Sequence, residues 1–256
     1  MTGLLVVACA LVGLAVGSFL NVVIWRVPRE ESVVRPRSHC PACGAQLAER
    51  DNIPVVSWLL LRGRCRSCGQ RISARYPLVE LLAAVVFVAT AVRFGADWVL
   101  PAYLVFFAGL VALSAIDLDL HRLPNRVLYP TLFATAPLLV LASAAAHRWG
   151  NLARAAEGGV LCFAILLAIH LAAPRGMGFG DVRLAGLIGM ATGWLGVGHS
   201  LLALFAAFLF SAVIGIALIV SGLRGRRDRI PFGPFLALGA LVAVLWGTPL
   251  LHWYGV

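Results

Sequence analysis

Apolar residues in this chain fall in long runs broken by short polar stretches. Eight runs stand out, at 3–25, 78–93, 98–116, 127–146, 156–173, 184–198, 200–221 and 233–250. About 20 apolar residues cross a bilayer as a helix, so each run predicts a transmembrane segment. The sixth is short and rich in glycine, and predicts a segment that tilts, breaks or re-enters; seven spans is the alternative count. One hydrophilic stretch, 26–77, is long enough to form an extramembrane domain, and it is rich in Pro, Arg and Cys. The chain therefore divides into a first transmembrane helix (1–25), a loop domain (26–77) and a polytopic remainder (78–256).

Composition strengthens the membrane reading. The 256 residues are 61% hydrophobic and 12% charged, with a mean hydropathy of +0.93. Soluble domains are about a quarter charged, so the expected class is an all-α integral membrane protein of about eight helices. All 21 basic residues are Arg. With the N-terminus outside, 18 of the 21 fall in the inward loops 26–77, 117–126, 174–183 and 222–232; Arg93, Arg148 and Arg154 fall outside. Arginine excess marks cytoplasmic loops, which sets the expected orientation. The +10 charge is accounted for by topology and contact with anionic membrane lipid, and nucleic acid is not an expected partner. The first run lacks a basic n-region and carries Arg26 and Arg29 after it, the pattern of a retained anchor.

Two cysteine pairs punctuate the loop, "CPACG" (Cys40, Cys43) and "CRSCG" (Cys65, Cys68), with 21 residues between them. Two CxxC turns let four thiolates converge tetrahedrally, with a glycine after each pair to permit the tight turn. The expected ligand is a structural zinc ion in a closed site that folds the loop domain. Two disulfides are the alternative, disfavoured by the cytoplasmic assignment. Cys9 and Cys162 lie inside spans and read as small apolar packing residues.

Most acidic residues have plain explanations in solvated loops or near the outer face. Glu80, in "RYPLVELL", suits the positive end of a helix dipole, but a carboxylate in a membrane segment is also a functional candidate. Asp117 and Asp119, in "IDLDLHRLPN", stand where the third run ends on the cytoplasmic side. Asp181, in "GMGFGD", stands where the sixth begins on the same side, behind Gly176, Gly178 and Gly180. Alone, Asp181 reads as a helix cap. If the two segments meet, two like charges at a low-dielectric rim cannot both ionise, which leaves an acid beside a base. Such a pair can activate water and protonate a leaving amine. Membrane transport is the rival reading, but it predicts mid-bilayer acids and repeated units. His170, His199 and His252 form no HExxH pair, and Ser114 and Ser211 have no adjacent base.

These residues carry a resemblance. "GSFLNVVIWRVP" (17–28), "CPAC", "NIPVVSWLLLRGRCRSCG" (52–69), "RYPLVELL" (75–82), "IDLDLHRLPN" (116–125), "GMGFGDVRLAG" (176–186) and "IPFGPFLALG" (230–239) together resemble the bacterial prepilin peptidases of type IV pili and type II secretion. The resemblance implies a multi-pass aspartic peptidase of the GxGD type in the inner membrane, active at its cytoplasmic face. Its catalytic pair would be Asp117 and Asp181, with Asp119 as rival for the first role. Its substrates would be prepilins or pseudopilins, cleaved after a glycine that ends a short basic leader and precedes an apolar helix. Members with the cysteine loop also N-methylate the new N-terminus from S-adenosyl-L-methionine. The loop has no glycine-rich nucleotide fingerprint, so the residues that would bind this cofactor are unknown. A peptidase without methylation is the runner-up. "IPFGPF" is read only as the Pro- and Gly-shaped start of a helix.

Overall fold

The computed structural model of the protein describes residues 2–174, 176–223, 225 and 230–253. Arg175, Arg224, Arg226, Arg227, Asp228 and Arg229, which the sequence reading includes, lie outside the described residues. The helices are α1 (Thr2–Arg26), α2 (Val56–Leu60), α3 (Arg75–Phe94), α4 (Leu100–Leu120), α5 (Asn125–Ala145), α6 (Trp149–Ala172), α7 (Phe179–Gly193), α8 (Val197–Val220) and α9 (Gly233–Trp253). Each of the eight apolar runs has become a helix. Among the described residues there is no strand, only two isolated antiparallel bridges in the cysteine loop.

Seven of these helices, all but α2 and α7, are long and apolar enough to cross a membrane. Their outer faces are apolar too: Leu11, Phe133, Val160 and Phe205 leave 62% to 71% of their surface exposed. In water such faces would drive aggregation, whereas lipid solvates them. The protein is a multi-pass membrane protein. The sixth run is the exception in length. As α7 it has 15 residues, about 22 Å of helix against a hydrocarbon core about 30 Å thick.

The chain forms two compact units, Met1–Leu100 and Pro101–Val256. In the first, α1 packs on α3, with Gly13 against Ala84 and Gly17 against Glu80. Asn21 Nδ2 donates to the Tyr76 carbonyl at 3.0 Å, which pins the start of α3.

In the second unit α7 is the most enclosed element. Val182, Leu184, Ala185, Leu187, Ile188 and Ala191 expose no more than 1% of their surface. Neighbouring helices reach it with polar groups. Tyr103 Oη of α4 donates to the Ala191 carbonyl at 2.8 Å, and Ser200 Oγ of α8 donates to the Gly189 carbonyl at 3.0 Å. Just past its end, Trp194 Nε1 donates to Ser143 Oγ of α5 at 2.9 Å. In an apolar interior an unpaired polar group is costly, so these bonds fix how α7 sits among its neighbours.

Candidate functional site

Asp117 stands in the last turn of α4. The helix ends three residues later because His121 takes a left-handed φ of 52° and Pro124 follows, where the helix could not continue. Asp117 is 5% exposed, whereas Asp119 faces outward and is exposed. Two residues on a helix point in different directions, so only one of these acids can face the interior. The carboxylate that does so has a backbone partner: Gly233 N–H, at the start of α9, donates to Asp117 Oδ2 at 2.9 Å. The positive end of α9 thus points at the Asp117 carboxylate.

Gly233 belongs to "IPFGPF", whose reading as a helix start is correct but incomplete. A Cβ at this position would stand 2.8 Å from Asp117 Oδ2 and 3.2 Å from Leu123 Cδ2. Only glycine lets the amide approach the carboxylate so closely. No local signal in the sequence points from Gly233 to an acid 116 residues earlier.

Asp181 lies in the first turn of α7, at its third position, behind the capping residue Gly178. Its Oδ2 accepts the Gly178 N–H at 3.2 Å, one half of a capping box. The glycine-rich turn is tethered on its other side, where His170 Nδ1 donates to the Met177 carbonyl at 2.9 Å. Arg183 Nη1 donates to Asn125 Oδ1 at 2.7 Å, tying the start of α7 to the start of α5. Leu123 lies between the two acid-bearing segments. A Cβ on Gly180 would stand 3.1 Å from Leu123 Cβ, on the side chain that also lines Gly233.

The two carboxyls are within electrostatic reach. Burial, and then the negative charge of Asp117, push the Asp181 carboxyl up to about 6, against the Gly178 N–H that favours its ionised form. Asp117 and Asp181 are 64 residues apart in the chain; the turn that carries Asp181 and the Gly233 that bonds Asp117 both close on Leu123, while Asp119 is exposed. A pair in which one carboxyl is ionised and the other retains a proton can both accept a proton from water and deliver one to a leaving group.

The second cluster lies in the first unit. Cys40, Cys43, Cys65 and Cys68 place all four sulfurs within 4.8 Å of one another. All four are free thiols, and Cys40 Sγ is 3.8 Å from Cys68 Sγ, far beyond the roughly 2.05 Å of a disulfide. The two halves are built alike. Cys40 N–H donates to Ala45 O at 2.9 Å and Cys65 N–H to Gln70 O at 2.8 Å, while Gly44 and Gly69 N–H return to Cys40 O and Cys65 O at 2.9 Å each. Gly44 and Gly69 have φ of 71° and 70°, the left-handed conformation that each turn demands. The backbone N–H groups of Cys43 and Ala42 pull the Cys40 thiol down to about 6. At Cys68 the Gln70 N–H also pulls downward, but burial and the three neighbouring sulfurs hold that thiol up at about 11. Four crowded sulfurs compete for negative charge, and a cation relieves that competition. The cluster can hold a metal ion.

Fold and site together define a multi-pass membrane protein with a paired-carboxyl site at helix ends and a separate four-cysteine module. Residues 11–94 match the Bacterial Peptidase A24 N-terminal domain, and residues 104–220 match the Type IV leader peptidase family. Several relatives carry the name prepilin leader peptidase/N-methyltransferase. That of Aeromonas hydrophila is 36% identical over 95% of this chain and 91% of its own length. That of Bacillus subtilis strain 168 is 35% identical over 94% of each. That of Myxococcus xanthus strain DK1622 is 42% identical over 85% of this chain and 64% of its own. No solved structure matches. The chain belongs to the type IV leader peptidase family, and is a membrane peptidase of the kind whose relatives are also named N-methyltransferases. Both aspartates fall in the leader peptidase match and all four cysteines in the N-terminal one.

Proposed function

We propose that this protein cleaves the short basic leader from type IV prepilins or pseudopilins, after a glycine and at the cytoplasmic membrane face, with Asp117 and Asp181 as the catalytic pair. The observation that carries this reading is a buried Asp117 at the end of α4 and Asp181 at the start of α7, with the Asp181 turn and the Asp117 partner Gly233 both closed on Leu123. Asp117, whose Oδ2 already accepts the Gly233 N–H at the start of α9, is the base. It takes a proton from water as the hydroxyl adds to the glycine carbonyl. Asp181 holds the proton and delivers it to the leaving nitrogen as the C–N bond breaks. The leader stays in the cytosol while the apolar segment behind it lies in the bilayer, so the scissile bond falls at the boundary. The arginine pattern supports a cytoplasmic 117–126 and 174–183.

The same protein then N-methylates the new N-terminus, with S-adenosyl-L-methionine as donor; the name of its relatives and the complete cysteine module support this second activity. Residues 26–77 serve it. The cysteine site fits zinc. Thiolates about 2.3 Å from a tetrahedral ion lie about 3.8 Å apart, the separation of Cys40 and Cys68 Sγ (3.8 Å). With four protein sulfurs the ion would have no open position, so its contribution is structural.

The deciding experiment is intact-mass analysis of a cognate prepilin incubated with purified protein and S-adenosyl-L-methionine. Loss of the leader plus one methyl group is expected from the wild type. Asp117→Asn and Asp181→Asn should both give uncut substrate, and Asp119→Asn should cleave normally. Normal cleavage by either of the first two would sink the dyad assignment.

A further inference from the structure

The leader peptidase match (104–220) contains both aspartates and leaves Met1–Leu100 outside it. Within that first unit the carboxylates are Glu30, Glu31, Glu49, Asp51, Glu80 and Asp97; Asp51 is paired with Arg66, and Glu80, 8% exposed, is buried within a membrane helix. It lies early in α3, facing α1, where a carboxylate is expensive to keep. Proteolysis by the aspartate pair makes no use of it.

Glu80 Oε2 accepts the Val55 N–H at 2.7 Å, and the Ser18 hydroxyl of α1 donates to the same carboxyl group. Val55 is the unusual residue of the loop. Its φ of 61° and ψ of −50° are nearly forbidden to a β-branched side chain. The Val56 N–H donates back to Pro54 O at 2.6 Å, closing a three-residue γ-turn of the rare, strained hand. Such a conformation persists only where its surroundings impose it. The Glu80 carboxyl is bonded to the N–H of that same residue.

Beyond the turn lies the frame of the cysteine module. α2 begins at Val56, the very next residue. Ser57 Oγ accepts the Ile53 N–H at 3.0 Å and donates to Arg50 O at 2.8 Å, closing the turn from its far side. Trp58 Nε1 donates to Ile72 O at 3.1 Å, just past the second cysteine pair. A continuous path of hydrogen bonds and one short helix therefore runs from a membrane-helix carboxylate to the module.

We propose that Glu80 is a positioning residue for N-methyl transfer, its carboxylate, shared between Ser18 and the Val55 amide, holding the strained turn that registers α2 and the four-cysteine module on the α1–α3 pair. The proposal rests on the methylation reading under Proposed function. Methyl transfer is a displacement at carbon, in which donor sulfur, methyl and acceptor nitrogen must align, and a misplacement of about 1 Å can cost on the order of 100-fold in rate. Releasing the turn lets Val55 relax to ordinary backbone and frees the start of α2 to shift.

The test uses the full-length protein and monitors cleavage, methylation and bound zinc in wild type, Glu80→Ala, Glu80→Gln and Val55→Gly. Glu80→Ala should lower the kcat of methylation at least about tenfold while cleavage and zinc content stay at wild-type levels. Glu80→Gln keeps an acceptor oxygen at the same reach and should restore most of the loss. Val55→Gly keeps the N–H, tolerates the turn without strain and should methylate normally. If Glu80→Ala does not insert, Ser18→Ala is read instead, with a several-fold loss of methylation expected and unchanged methylation fatal to the proposal. Full methylation by Glu80→Ala overturns it, as does a parallel fall in cleavage, methylation and zinc, the mark of a merely structural role. A wild type that cleaves its cognate prepilin and never methylates ends the methylation reading itself, and this proposal with it.

Discussion

Asp117 and Asp119 stand two positions apart, and a helical turn is enough to give them different surroundings. The first is buried against the Gly233 amide and the second is exposed. Gly233 is accordingly the residue whose replacement is most informative. In Gly233→Ala the added methyl would stand 2.8 Å from Asp117 Oδ2, so the carboxylate must move. Cleavage should fall on the order of 100-fold in protein that still inserts, measured as kcat/KM on a cognate prepilin; wild-type kinetics would remove Gly233 from the site. The pH profile is a second check on the same atoms. Burial and the Asp117 charge raise the Asp181 carboxyl to about 6, so it carries its proton below that pH and loses it above. A role as acid needs the protonated form. The kcat/KM of cleavage should therefore decline as pH rises through about 6, with apparent values belonging to the coupled pair. A profile flat from about pH 5 to 8 would contradict an acid role for Asp181.

α7 shows how a short helix can be placed so firmly. Its 15 residues begin at a glycine turn and end just before Trp194; hydrogen bonds from Tyr103 and Ser200 reach its C-terminal half, and Trp194 donates to Ser143 of α5. The apolar run at 184–198 located this helix but neither of its ends, since the helix stops at Gly193 and α8 begins at Val197. The start lies five residues earlier, at Phe179, because the capping turn uses Gly178 and Asp181, neither of which is apolar. The cysteine module is the opposite case. Its two CxxCG turns are written in consecutive residues, and the structure builds both halves alike. Replacing Cys40 and Cys43 by Ser should release the bound metal and destabilise residues 38–72. Methylation should suffer more than cleavage, as read by metal analysis beside the intact-mass assay. Equal loss of both activities would mean that the module supports the entire fold.

Across the molecule, the distribution of 18 of 21 arginines to alternate loops is the basis for the proposed orientation. On intact cells an impermeant maleimide should label Arg148→Cys above the wild-type level and add nothing to Arg122→Cys, which should gain label over the wild type only once the membrane is permeabilised. The reverse pattern would invert the topology and place the aspartates on the wrong side for a cytosolic leader. The paired acids also bear on the transport alternative. They lie at helix ends, in the last turn of α4 and the first turn of α7, where a relay through the middle of a bilayer would not place them.

Apolar run length, arginine placement and the spacing of four cysteines are properties of neighbouring residues. They were enough to read the helices and the convergence of the four cysteines from the chain, and to propose an orientation. Neighbouring residues also named both aspartates, since each sits where a polar segment meets an apolar one. The burial of Asp117, which the family resemblance already preferred to Asp119, the amide that Gly233 brings to it, and the carboxyl that Glu80 lends to Val55 could not be read that way. Each joins groups far apart in sequence, the first two across 116 residues and the third across 25. Those distances close only when helices pack, and packing is decided by the shape of whole faces, which no local pattern records.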